Sequence, residues 1–228
     1  MHWNSLLQTF KDAITVTRNL GVKYIWIDSL CIVQDDPEDW AAESAKMEAV
    51  YGKLYLTIAA TASADACGGL FRKTVAPIRL AVLMGEKPIT VFIREMIAHS
   101  SYQEYRKPYL EYTASLPLFS RSWVVQEFYL PARVIHFADF EVAWECNERM
   151  WCCCHTGLRP PGGTKHGTKH LFVKSLDRNG AQSSQAVTRA WHTIVSLYTI
   201  RWLTKEADRL PALSGIARRY KGYLRAIT

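Results

Sequence analysis

The sequence predicts an α/β fold: a sheet with parallel strands and flanking helices, plus a β-hairpin and a helical C-terminal extension. Three observations carry this reading. Tyr24-Ile25-Trp26-Ile27 and Leu54–Ala60 are short, apolar, β-prone runs without polar alternation, the pattern of strands covered on both faces. Between them Asp36-Pro37-Glu38-Asp39 reads as a helix start, with Asp36 at the N-cap, Pro37 at the first helical position and acids at the positive end of the dipole. The strand–helix–strand spacing fits one right-handed crossover.

The elements follow in chain order. Asn4 or Ser5 is expected to cap a first helix carrying Leu6, Phe10, Ala13, Ile14, Thr17 and Leu20 at helical spacing, with Gly21 ending it. A sheet of this class needs a strand before that helix, and none is visible. Asp28 closes the run at Tyr24. In open α/β sheets ligands gather beyond the carboxyl ends of strands, which puts Asp28, Ser29, Gln34 and Asp35 on a candidate rim. Equally, Asp28 can simply cap the turn backbone. On the helix expected over residues 37–52, Trp40, Ser44, Met47, Tyr51 and Leu54 form one stripe. Glu43 sits at the border of that stripe and Glu38 nearly opposite. A border carboxylate can reach a cleft with a raised pKa, or lie along the apolar edge as an ordinary surface residue.

Beyond Ala60 a loop of small residues, 61–69, closes on Leu70-Phe71. Its glycine pair lacks the Lys-Ser/Thr of a phosphate loop. Ile89–Arg94 reads as a strand. Ser120 is placed to cap a helix on which Trp123, Gln126 and Glu127 share a face. Two polar side chains beside a Trp call for partners, and Arg121 and Arg133 are the candidates, giving a structural network of Arg121, Trp123, Gln126, Glu127 and Arg133. Residues 133–137 and 141–146 form a hairpin. Cys146, Cys152, Cys153, Cys154 and His155 invite a zinc reading, but adjacent cysteines cannot all face one ion and no Cys-x-x-Cys pair is present; no metal is expected. The Pro/Gly-rich stretch around 156–170 reads as a flexible linker, extended to 156–185, between a domain at 1–155 and a helical extension at 186–228.

With 228 residues, 49% hydrophobic and eight tryptophans, the chain can bury a core. No apolar run approaches the ~18 residues of a membrane span, and Met1-His2-Trp3-Asn4 is no secretory signal. Reduced thiols in a cytoplasmic protein are the expectation. The net charge of +7 is uneven: residues 156–228 carry 13 Lys/Arg against 3 Asp/Glu. Without a compact basic run or interleaved aromatics this reads as a solvated face, and no nucleic acid is expected.

Trp26-Ile27-Asp28-Ser29-Leu30-Cys31-Ile32, Gln34-Asp35-Asp36, Asp39-Trp40, Glu43, Met47, Tyr51 and Leu56–Ala60 resemble the HET (heterokaryon incompatibility) domain of filamentous fungi. Arg121-x-Trp123-x-x-Gln126-Glu127 with Arg133, then Trp144-Glu145-Cys146, and Asp208-x-Leu210-Pro211-Ala212-Leu213-Ser214-Gly215-Ile216-Ala217 resemble it too. HET domains start with a Leu-Ser-Tyr-x-Trp-Gly-like strand, absent here, so the chain resembles a member clipped at both ends. The resemblance implies a cytosolic domain that triggers programmed cell death on non-self recognition, acting with other incompatibility proteins or by self-association. HET domains have been likened to TIR domains, some of which cleave NAD with a Glu on a helix of a flavodoxin-like sheet. That analogy implies a flavodoxin/TIR-like sheet, NAD as substrate and Glu43 as the catalytic carboxylate. The alternatives are a non-catalytic signalling module and an inactive fragment.

Overall fold

The computed structural model describes residues 2–72, 77–85, 87–93, 116–139, 141–148, 150–153, 168–176 and 184–224. Helix α1 (Gln8–Asn19) follows a short 3-10 turn at Trp3–Ser5. Leu7, not Asn4 or Ser5, holds its N-cap position, because the chain spends Asn4 and Ser5 in that turn. Its end is as expected. Gly21 takes a φ of +69°, and the amides of Gly21 and Val22 return to the carbonyls of Arg18 (2.9 Å) and Thr17 (3.1 Å), a Schellman closure. Asp12, inside the apolar stripe, is buried; its carboxylate accepts from Leu70 N–H (2.8 Å) and Gln8 Nε2 (2.6 Å), tying α1 to the small-residue loop.

The run Tyr24–Asp28 is not a sheet strand. Residues 22–27 form no ladder and Asp28–Cys31 turns at once into a short helix, α2. The reason lies in side-chain packing. Ile25 joins the cluster of Ala13, Leu70 and Phe137, Trp26 meets Tyr51 edge-on at 5.8 Å, and Tyr24 is left 86% exposed. Helix α3 (Pro37–Lys53) matches its expected limits. Asp36 Oδ1 accepts from Glu38 N–H (2.8 Å) and Asp39 N–H (3.1 Å), and Ser44, Met47 and Tyr51 face inward.

Strand β1 (Thr57–Ala59) is parallel to β4 (Arg133–Phe137), with Ile58 opposite Ile135. β4 pairs antiparallel with β5 (Val142–Cys146), and β5 with β6 (Met150–Cys152), giving the order β1-β4-β5-β6. The fold is therefore mixed α/β, its sheet holding one parallel pair and flanked by helices. The partner of β1 is β4, not the run at Tyr24. β2 (Ile78–Met84) and β3 (Lys87–Ile93) form a separate hairpin across Gly85. The strand expected at Ile89–Arg94 falls on β3, with Arg94 outside the described residues.

Four helices complete the described chain: α4 (Val124–Tyr129), α5 (Thr168–Ser175), α6 (Ser184–Thr199) and α7 (Pro211–Leu224). Ser120 does not cap α4. It lies in a 3-10 turn at Pro117–Ser120 and its hydroxyl donates to the Pro117 carbonyl at 2.7 Å. Helix α5 falls within the stretch read as a linker, and its Phe172 is buried; Pro/Gly content at 156–163 says nothing about the apolar turn that follows. One core joins Met47, Tyr51, Val125 and Phe128 with Ile194, Tyr198, Ile216 and Tyr220, so α6 and α7 pack against the N-terminal elements. Part of the basic excess is neutralised there, Glu48 of α3 pairing with Arg218 (3.0 Å) and Arg219 (3.3 Å). Cys31, Cys67, Cys146 and Cys153 are free thiols, but Cys152 is disulfide-bonded, against the expectation of reduced thiols. Cys154 and His155 lie outside the described residues.

Candidate functional site

A cavity of about 180 Å³ opens between the two motif-bearing halves of the chain. Ala13 and Thr17 of α1 with its C-cap Leu20 bound it on one side, and Tyr51 of α3 and its C-cap Leu54, together with Glu127 of α4, on the other. Its lateral walls are the run from Val22 to Ile27 and the chain from Tyr55 to Ile58 entering β1. The lining residues are mostly apolar and aromatic, with Thr17, Thr57 and Glu127 among those that add polar atoms. Thr57 is one of the lining residues, and its Oγ1 is a buried hydroxyl with no hydrogen-bond partner among the described residues.

Glu127 is the electrostatic centre of this cavity. Burial first, and then the negative charge of Asp28, push its carboxyl up to about 7, while the Arg121 guanidinium opposes them. A carboxyl of that kind holds or releases a proton near neutral pH, which fits general acid–base work and a site whose charge a ligand can switch. Tyr51 is raised well above its usual value by burial, then by Glu127 and Asp28, and stays a neutral donor. Asp28 thus acts on both Glu127 and Tyr51, although it lies 99 positions from Glu127 in sequence by their numbering.

The other candidate residues are distributed differently. Asp28 Oδ1 also accepts from Ser29 N–H (2.7 Å), the turn-capping role read as its alternative. Ser29, Gln34 and Asp35 are exposed, with Gln34 Nε2 donating to its near neighbour Ile32 (2.9 Å). Glu43 is half-buried at the border of the α3 stripe and bound to Lys46 at 2.6 Å; it is not among the residues lining the cavity.

The partners of the Arg-x-Trp-x-x-Gln-Glu segment are not the expected arginines. Arg133 donates to the Tyr55 carbonyl (3.2 Å) and lies over the Tyr55 ring, and no ion pair joins Glu127 to Arg121 or Arg133. Trp123 Nε1 donates to Asp208 Oδ2 (3.0 Å). Gln126 donates to the Pro211 carbonyl (3.0 Å) and accepts from Gly215 N–H (3.0 Å), gripping α7 through its backbone. The arginines fail as partners because α4 turns Gln126 and Trp123 toward the C-terminal segment. Sequence reasoning also missed Tyr51 and Thr57, which read as core and strand; what could have found them was their place beside the rim at Asp28. No group of three His, Cys, Asp or Glu among the described residues is arranged to hold a metal, and no described helix is long and apolar enough to cross a membrane.

The fold and cleft define a mixed α/β domain whose two motif segments converge on one cavity. The family model of the heterokaryon incompatibility protein (HET) matches residues 1–127, more than half of the chain, so the chain belongs to the HET family. Curated proteins and solved structures yield no match.

Proposed function

We propose that this protein is a cell-death-inducing domain of fungal non-self recognition, acting in the cytosol by self-association or with other incompatibility proteins. The observation that carries the proposal is the family match over residues 1–127, which spans both segments meeting at the Glu127 cavity. Controlled expression of the complete protein in a fungal cytosol tests it, with loss of viability as the expected result. Trp123→Ala, which removes a contact to Trp40 (6.3 Å) and the bond to Asp208, should abolish toxicity by destabilising the domain.

A second reading rests on the TIR analogy: an enzyme that cleaves NAD, for which the carboxyl of raised pKa in the cleft, Glu127, is a supporting observation. The analogy puts the catalytic carboxylate at Glu43, which lies outside the cavity lining, and that role requires release of the Lys46 partner. Glu43→Gln keeps shape and removes charge, so a carboxylate stabilising an oxocarbenium-like transition state would not survive it. NAD consumption by purified protein separates the readings. Consumption abolished by Glu43→Gln supports the enzyme; toxicity retained in Glu43→Gln without NAD loss supports assembly.

A further inference from the structure

Strands β2 and β3 carry apolar side chains that the core does not use. The two strands turn at Gly85, whose φ of +67° suits glycine, and they pair only with each other. No residue of either strand is buried, and among the described residues neither strand contributes to the apolar clusters of the core. The register sets Ile78 opposite Ile93, Leu80 opposite Val91 and Val82 opposite Ile89, so one face of the hairpin is a continuous apolar surface that Met84 extends. Arg79 and Thr90 interrupt the other face. On the apolar face Ile78 is 63% exposed, Met84 73% and Ile89 39%. Together these side chains present on the order of 500 Å², near the upper end of the patches that monomeric proteins leave in water. A two-stranded hairpin is also marginal in water until another strand or a packing surface completes it.

We propose that this hairpin is a dimerisation surface, the apolar faces of two copies packing against each other as a small two-layer sandwich. The contact is isologous, each face meeting its own copy across a two-fold axis, with Leu80 and Val82 near the centre. Size, length and charge together select this occupant. Two such faces bury about 1,000 Å² in total, where specific interfaces begin, so the dimer is weak and concentration-dependent. Strands of seven residues fall short of the ~9–11 that a membrane-crossing strand needs. Lys87 is the one charge on this face among the described residues, so the face holds no charge pattern that would select a different protein. In a two-fold, antiparallel stack the two Lys87 side chains lie at opposite ends, roughly 20 Å apart by the strand rise and beyond the ~8 Å Debye length. The dimer gives a surface to the self-association in the proposed function and rests on that reading.

Sedimentation velocity of the 228-residue chain over the micromolar range is the test. The expected result is a reversible monomer–dimer equilibrium. Val82→Lys should weaken it on the order of tenfold or more, because two unpaired charges then meet at the centre of the interface. Ala81→Lys, on the opposite face, should leave it unchanged. If Val82→Lys disturbs the hairpin itself, the unaltered chain still decides: oxidation of Met84 by dilute peroxide should slow several-fold as the chain dimerises, while that of Met150 on β6 should not change. A chain that stays monomeric, or a dimer that Val82→Lys spares or Ala81→Lys weakens equally, would overturn the proposal. So would protection of Met84 that is independent of concentration, which means that the chain itself covers the face, or that requires added phosphatidylcholine vesicles. Expression in a fungal cytosol keeps the two readings apart. A toxic chain that stays monomeric overturns the dimer alone, and a hairpin dimer without toxicity overturns the proposed function alone.

Discussion

Burial of Glu127 beside the charge of Asp28 fixes the sign of a pH effect. The folded protein holds the Glu127 proton up to about 7, whereas the unfolded chain releases it near 4.5. Below the lower value both states are protonated and the group contributes no difference. As pH rises from there toward 7 the unfolded state gains charge first, so stability falls across that window and is flat above it, by on the order of 3 kcal/mol in total. Glu127→Gln should therefore melt like the parent near pH 4.5 and be more stable at pH 8, with the difference read from denaturant midpoints at constant slope. Equal stability of parent and variant at pH 8 would show that Glu127 titrates as an ordinary carboxylate. Little of this was legible in the sequence. Glu127 belongs to a visible motif, but its environment depends on Asp28 and Tyr51, which only the fold brings close.

Among elements, the most specific contact is the grip of Gln126 on α7. An added Cβ at Gly215 would come within 2.1 Å of Gln126 Oε1 and 3.2 Å of Glu48 Cβ, so the helix packs this closely because residue 215 has no side chain. Gln126→Ala removes the acceptor of the Gly215 amide and one of the donors to the Pro211 carbonyl, which keeps the Ser214 hydroxyl, and should cost about 2 kcal/mol. Gly215→Ala should cost at least as much by steric clash. Because both changes disturb one contact, the double variant should be less destabilised than the sum of the two, measured as a thermal-denaturation cycle; simple additivity would show the two sites to be independent. The pattern of legibility here is physical. Helix α3 and the end of α1 were readable because Asp36, Pro37 and Gly21 act on backbone within a few residues of themselves. The β4–β5 hairpin was readable for the same reason. The run at Tyr24 was misread as a paired strand because apolar, β-prone residues also suit a segment that packs on a helix and borders a cavity. The partners of Gln126 and Trp123 lie some 85 positions away, a distance over which periodicity carries no information.

At the scale of the whole molecule, the core does not respect the boundary suggested by composition. Met47, Tyr51, Val125 and Phe128 share one buried cluster with Ile194, Ile216 and Tyr220, and Phe172 on α5 meets Tyr129 edge-on (5.5 Å) and Tyr220 at a tilt (5.8 Å). Ser175 and the Tyr220 hydroxyl bond at 2.9 Å inside it, with burial pushing Tyr220 up to about 12, so this bond stays neutral across the physiological range. Removing α5–α7 would uncover the inner faces of α3 and α4, and each large apolar side chain so exposed costs ~1.5–3 kcal/mol. A folded domain has only about 5–15 kcal/mol in reserve, so a handful of such exposures exceeds it. A chain ending at residue 155 should therefore show no cooperative thermal transition and should bind a hydrophobic dye, while the 228-residue chain melts in a single transition. A cooperative transition in the shortened chain would mean that residues 1–155 fold alone. The C-terminal helices would then serve to hold α4, through Gln126 and Trp123, in the orientation that keeps Glu127 on the cavity.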